Sequence, residues 1–184
     1  MAWFVVFGLI VTRRAWRLVT VRGRDVWITL PPLLGVIGLA SGAIFYVATR
    51  IFVVLAQRVP AFRRQTEAAY GKAGTADRVR ELVLSLALAV PGEELLWRGL
   101  AYRWGADQLS SLAVAAVLVW AVYVLANVPS RSLPIIAGAM VGGALWGALA
   151  WWTGGVLAPL ASHILWTGSM LALPPKVGRT EGDG

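Results

Sequence analysis

Residues 82–104 read LVLSLALAVPGEELLWRGLAYRW. Two adjacent carboxylates, Glu93 and Glu94, and one guanidinium, Arg98, lie mid-way along this otherwise apolar stretch. An ionisable side chain at the centre of a membrane helix costs roughly 2.5–3.5 kcal/mol on insertion scales, so such groups face a protein interior and serve a purpose. Glu94 and Arg98 are four residues apart, which puts them on one helix face and lets them pair. Glu93 is turned about 100° away from Glu94, free to face something else. Pro91-Gly92 just before them is expected to disturb the helix and open backbone groups. A buried pair that only fixes helix packing accounts for Glu94 and Arg98 as well as a functional role does. It does not account for Glu93, because a second acid beside a neutralised pair serves no packing need.

The surroundings support membrane depth. Of 184 residues, 58% are hydrophobic and 14% charged, with mean hydropathy +0.70, whereas a soluble domain carries roughly 25% charged residues. The apolar residues fall in long blocks. Leu33 to about Leu55 forms a first expected span, opened by Pro31-Pro32 at its first turn. Arg80 to Trp104 forms a second, Ser111 to about Val128 a third, Leu133 to Trp152 a fourth and Val156 to Leu173 a fifth. Gly38 and Gly42 in the first, and Gly138, Gly142, Gly143 and Gly147 in the fourth, stand at spacings that permit close helix contact. Without a strand–loop–helix context they are packing devices, not a phosphate cradle. The expected fold is all-α, a polytopic transmembrane bundle of about five spanning helices plus a short N-terminal apolar helix.

Four segments follow from this pattern. Residues 1–29 hold an apolar or interfacial stretch and a basic loop. Residues 30–79 hold the first span and a polar basic loop, and residues 80–173 the bundle that carries the acids. Residues 174–184 form a polar tail expected to be disordered. Ala2 to Val11 is too short for a full span, and it lacks the preceding basic residues and small-residue cleavage site of a signal peptide.

The net charge of +8 does not point to nucleic acid. The basic residues cluster between apolar blocks, at Arg13–Arg24 and again at Arg58–Arg80, as they do where membrane helices meet anionic lipid. Residues 57–80, Arg131 and the tail carry nine Lys/Arg, against six for the Arg13–Arg24 cluster plus Arg103. The first side is therefore the expected cytoplasmic face of a multi-pass cell-membrane protein, with membrane lipids as its surroundings. Arg50 lies within the first span and can snorkel toward an interface.

Two absences exclude much chemistry. There is no cysteine, which removes disulfides, thiolate nucleophiles and Cys-based metal sites. His163 is the single histidine, so one chain cannot build a two-His zinc site. No cofactor is expected. A divalent metal on Glu93, Asn127 and His163 would have a poor ligand set.

His163 lies in the fifth span, and Thr167 projects from the same face one turn later. Asn127 ends the third span, with Tyr123 one turn before it. A lone histidine on an apolar helix is usually a satisfied core residue. Three helices each contributing a polar spot to a small bundle suggest instead one internal site.

The ordered set of these motifs resembles the CAAX-processing and bacteriocin-processing (CPBP, or Abi) intramembrane proteases. GEELLWRGL looks like that family's first motif, Glu-Glu-x-x-x-Arg. The family continues with Phe-x-x-x-His, a Gly-rich helix ending in a Thr-Gly turn, and His-x-x-x-Asn. This chain has Tyr123-x-x-x-Asn127, then Gly138 to Trp152 with Thr153-Gly154, then His163-x-x-x-Thr167. The resemblance covers about residues 80–172. It implies that Glu93 activates the hydrolytic water and that Glu94 and Arg98 support it. Asn127 stands where a histidine helps hold that water. His163 matches the histidine of the oxyanion site, and Thr167 stands where an asparagine assists it. Family members cleave peptide bonds within or near the membrane, some near prenylated C-termini, so a membrane-associated peptide or protein is the implied substrate.

Asn127 and Thr167 depart from the pattern, and Asn127 cannot take a proton. Three readings result: an intramembrane endopeptidase driven by Glu93, a non-catalytic member of the same fold that binds membrane partners, and a small proton-coupled transporter subunit. The first expects Glu93, Asn127 and His163 to share a common cavity.

Overall fold

The computed structural model describes residues 31–70, 75–109 and 111–175. The expected N-terminal apolar helix, the Arg13–Arg24 cluster and the tail from Lys176 lie outside them. Among the described residues every regular element is helical and there is no strand, as the apolar blocks imply.

Helix α1, Pro31–Ala56, starts at the proline pair, where a missing N–H costs nothing. A short turn leads to α2, Pro60–Tyr70, a polar helix that buries Phe62 and Thr66 on one face. Gln65 of α2 fixes the next crossing of the chain. Its amide donates to the Arg131 carbonyl at 3.3 Å and its Oε1 accepts from the Leu133 N–H at 2.7 Å.

Residues 75–109 form one unbroken helical run whose pitch changes twice. Helix α3, Thr75–Leu84, passes into a π-helical turn over Ser85–Ala89. Helix α4, Val90–Glu94, is followed by a second π-helical stretch over Leu95–Ala101, and α5 completes the run over Tyr102–Leu109. Pro91 supplies a cause for the first widening. It has no N–H, and its ring collides with the carbonyl four residues back, which is that of Ala87, inside the π turn. The expected disturbance at Pro91-Gly92 is therefore a widened helix, not a broken one. Such π segments concentrate at functional positions, and here they flank the two acids.

Helix α6, Leu112–Asn127, is capped by Ser111 and ends in a 3-10 turn over Val128–Ser130, built around Pro129. Helix α7, Leu133–Thr153, stops at Gly154, whose φ of 70° is left-handed backbone that suits glycine. Helix α8, Leu157–Ala172, closes the described chain.

The most extensive pairing is α1 with α8. A Cβ at Gly38 would collide with the Ala158 carbonyl and come 2.7 Å from the Ala161 Cβ; one at Gly42 would sit 2.6 Å from the Ser162 carbonyl. The glycine pair of α1 thus receives the small residues of α8 directly, as its spacing implies. Beside this contact Phe45, Trp146 and Leu149 form a buried cluster, with Trp166 stacked on Phe45 at 5.3 Å. Arg50 does more than reach an interface. It donates to Tyr46 Oη at 2.8 Å and to the Leu173 carbonyl at 3.3 Å, and Tyr46 donates to the same carbonyl at 2.9 Å. Both side chains cap the C-terminal end of α8, where a cation is favoured.

Among the described residues, three helices are long and apolar enough to cross a membrane: Leu33–Ala56, Leu112–Ser130 and Leu133–Thr153. Their outer faces expose Ile44, Val117, Leu125 and Val141, the pattern of surfaces solvated by lipid rather than water. The other two expected spans are helical but differ in kind. Residues 75–109 carry the charged motif, and α8 has 16 residues, about 24 Å long at 1.5 Å per residue, against a hydrocarbon core of about 30 Å.

Candidate active site

The π-helical stretch and α4 present Glu94 and Arg98 to the bundle interior, where Glu94 is 0% and Arg98 5% exposed. Their pairing follows the four-residue spacing: Arg98 Nη1 donates to Glu94 Oε1 at 3.1 Å. Arg98 Nη2 reaches the Gly143 carbonyl of α7 at 3.2 Å. Its guanidinium lies 4.8 Å from the Tyr123 ring centre and 5.6 Å from that of Trp146, a doubly stacked cation. One side chain therefore ties together the motif helix, α6 and α7.

Glu94 Oε1 also meets His163 Nδ1, at 2.8 Å. A carboxylate only accepts, so with Glu94 ionised the imidazole proton sits on Nδ1, and Nε2 is the nitrogen left for other work. The imidazole is stacked on Trp146, with ring centres 3.5 Å apart and planes 17° from parallel. Trp146 is 1% exposed and His163 5%. Their stacking fixes the ring plane and Glu94 fixes its rotation. Glu94 Oε2, Trp146 Nε1 and Ser162 Oγ are buried without hydrogen-bond partners among the described residues.

Glu93 has a different environment. It is half-buried and its Oε2 accepts from the Tyr123 hydroxyl at 3.0 Å. A cavity of about 10 Å³, enough for one water, lies beside Arg98, Tyr102, Trp120, Tyr123 and Gly143.

The family model for type II CAAX prenyl endopeptidases of the Rce1-like kind matches residues 76–169. The chain belongs to this family. No curated protein and no solved structure matches it. Family membership and the three long apolar helices together make it a membrane protein.

The matched region contains all six residues singled out from the sequence of this CAAX-endopeptidase relative, and the fold treats them unequally. Glu94, Arg98 and His163 are drawn into one buried hydrogen-bonded chain. Glu93 stands next to it, linked through Tyr123 to the face of Arg98. Asn127 does not join. Its amide donates back to the Tyr123 carbonyl of its own helix at 2.8 Å. Thr167 is half-buried and has no hydrogen-bond partner among the described residues. Glu93, Asn127 and His163 do not line the small cavity; a chain of contacts runs Glu93–Tyr123–Arg98–Glu94–His163. No cluster of three His, Cys, Asp or Glu able to hold a metal exists among the described residues.

Two contributors escaped the sequence reading, and the partner of a third did. Trp146 is one of several bulky residues among the glycines of α7, and nothing in its spacing pairs it with His163. The Gly143 carbonyl is backbone, which a residue pattern does not reveal. Tyr123 was visible as a polar group at membrane depth, but not as the partner of Glu93.

Proposed function

We propose that this family member is an intramembrane endopeptidase in which Glu93 activates water for attack on a peptide bond at or near the membrane. The observation that carries the reading is the Glu93 carboxylate itself: Oε2 is held by Tyr123 at 3.0 Å, Oε1 has no protein partner among the described residues, and a buried Arg98–Glu94–His163 chain stands alongside. Oε1 takes a proton from water as the resulting hydroxide forms its bond to the scissile carbonyl carbon. The negative charge on the tetrahedral oxygen is met by His163 as imidazolium, donating through Nε2 while Nδ1–H stays on Glu94. Collapse breaks the C–N bond, and Glu93 returns its proton to the leaving amine. Arg98 balances Glu94, and Thr167, one turn beyond His163, offers a further hydroxyl to the oxyanion.

The family name supplies the substrate class to test, a prenylated cysteine followed by a short C-terminal tail. The protein in lipid nanodiscs is given a quenched fluorogenic peptide bearing S-farnesyl cysteine and three further residues. Release of the tail by the wild type, and its loss in Glu93→Gln with insertion and folding unchanged, is the expected result. A second reading, a non-catalytic member that binds membrane peptides, draws on Asn127, whose amide is committed to its own helix. Saturable binding of the farnesylated peptide, with no cleavage in wild type, establishes that reading instead.

A further inference from the structure

The family resemblance places the α6 contribution to the site at position 127, where this chain carries an amide. The side chain at 127 is turned to the Tyr123 carbonyl at 2.8 Å, and the group of α6 that touches a motif acid is the Tyr123 hydroxyl, 3.0 Å from Glu93 Oε2. Residues 123 and 127 are one helical turn apart and share a face, so the two compete for the same region of the bundle. The longer side chain reaches the acid.

The Tyr123 ring is held firmly enough to act as a fixed post. It is 7% exposed. Trp97 meets it edge-on at 5.6 Å between ring centres, and the Arg98 guanidinium covers it at 4.8 Å. Gly143 provides the room for it, since a Cβ there would lie 2.8 Å from Tyr123 Cδ1. A glutamate has three side-chain torsions to order before its carboxylate can take a proton along one direction. A hydrogen bond on Oε2 from an immobilised ring selects one arrangement and leaves Oε1 pointing elsewhere. The Arg98 cation over the same ring couples Glu93 to the Glu94–His163 pair without direct contact between the acids.

We infer that Tyr123, not Asn127, is the positioning residue that α6 supplies: it holds the Glu93 carboxylate by Oε2 and reserves Oε1 for water. This rests on the reading of Glu93 as the base.

The test uses full-length protein in nanodiscs, with carboxyl-labelled glutamate and isotope-edited infrared spectra. The band lost in Glu93→Gln identifies the Glu93 carboxylate. Tyr123→Phe keeps the ring and removes only the hydroxyl, and it is expected to shift that band; Asn127→Ala is expected to leave it in place. In the farnesyl-peptide assay Tyr123→Phe lowers kcat about 10- to 100-fold, the scale of one hydrogen bond to a charged group, with KM within about twofold. Asn127→Ala changes kcat less than about threefold. An unshifted band in Tyr123→Phe overturns the inference, as does a shifted band with unchanged kcat, or a larger kcat loss in Asn127→Ala. If Tyr123→Phe does not fold, Glu93→Leu is read from the tyrosine side by ultraviolet resonance Raman, where the loss of one strongly donating hydroxyl supports the inference and an unchanged spectrum refutes it. If the wild type never cleaves but Tyr123→Phe shifts the band, the endopeptidase reading fails while the Tyr123–Glu93 hold stands. If the wild type cleaves and Tyr123→Phe leaves the band in place, the hold alone fails.

Discussion

Arg98→Ala removes a residue that ties the motif helix to α6 and α7, and its cost can be worked from the contacts. Glu94 is 0% exposed and has two partners on Oε1, Arg98 at 3.1 Å and His163 at 2.8 Å, and none on Oε2 among the described residues. Breaking a buried pair from one side typically costs about 3–5 kcal/mol, because a charge is left without its counterpart. Loss of the stacked cation over Tyr123 and Trp146 adds about 0.5–2 kcal/mol. In the other direction, a helix unfolded within the membrane finds other polar partners, which shrinks measured effects there. The net expectation is a loss of about 3–5 kcal/mol. The same reasoning fixes the sign of a double change. Adding Glu94→Gln to Arg98→Ala removes the stranded charge and is expected to restore about 1–3 kcal/mol. Unfolding of micelle-solubilised protein by a denaturing detergent, followed by the fluorescence of its ten tryptophans, measures both. The argument fails if Arg98→Ala costs under about 1 kcal/mol, or if Glu94→Gln deepens the loss instead of relieving it.

Asn127→His is expected to change turnover less than about threefold, because the side chain at 127 faces the Tyr123 carbonyl and not Glu93; a gain of about 10²–10⁴ in kcat would return general acid–base work to that position. Gly38→Leu is expected to separate α1 from α8 and cost several kcal/mol, about 3 or more, since even a Cβ collides with the Ala158 backbone carbonyl, which no side-chain rotation relieves. Crosslinking between cysteines placed at positions 41 and 161 reports the loss, and undiminished crosslinking speaks against it. Arg50→Ala uncaps the Leu173 carbonyl on one side, leaving Tyr46, and is expected to lower stability by about 0.3–2 kcal/mol without affecting cleavage; a matching loss of activity would tie this cap to the site.

Much of the fold was legible because membrane depth simplifies the code. Long apolar blocks become helices when no water satisfies the backbone, and small residues at four-residue spacing become contact points. Gly38 and Gly42 behave that way against α8. The pitch of residues 75–109 was less legible. Pro91 announces a disturbance, but whether a helix breaks, kinks or widens depends on what its neighbours can fill, and here the Ser85–Ala89 and Leu95–Ala101 turns widen. Arg50 was readable as a cation near an interface, but its target, a carbonyl at the far end of the described chain, is a tertiary fact that local spacing does not contain.

In the site, the residues that pair within one helix were legible and those that meet across helices were not. Glu94 and Arg98 follow from a spacing of four. His163 meeting Glu94 rather than Glu93 depends on how α8 is rotated, and that rotation is set by the Gly38–Ala158 and Gly42–Ser162 contacts and by the Trp146 ring, none of which a motif encodes. Position 127 shows the limit most clearly. A motif assigns a role to a place in the order of residues, whereas chemistry assigns it to whichever atom arrives. On a helix, positions 123 and 127 project from one face about 6 Å apart along the axis, and a tyrosine extends its hydroxyl farther from the backbone than an asparagine extends its amide. When the amide is short enough to satisfy itself on the preceding turn, it leaves the interior to the phenol above it. Under the proposal for Tyr123, the amide at 127 and the hydroxyl at 123 are tested as a pair, because a variant at either position alone leaves the contribution of α6 divided between them.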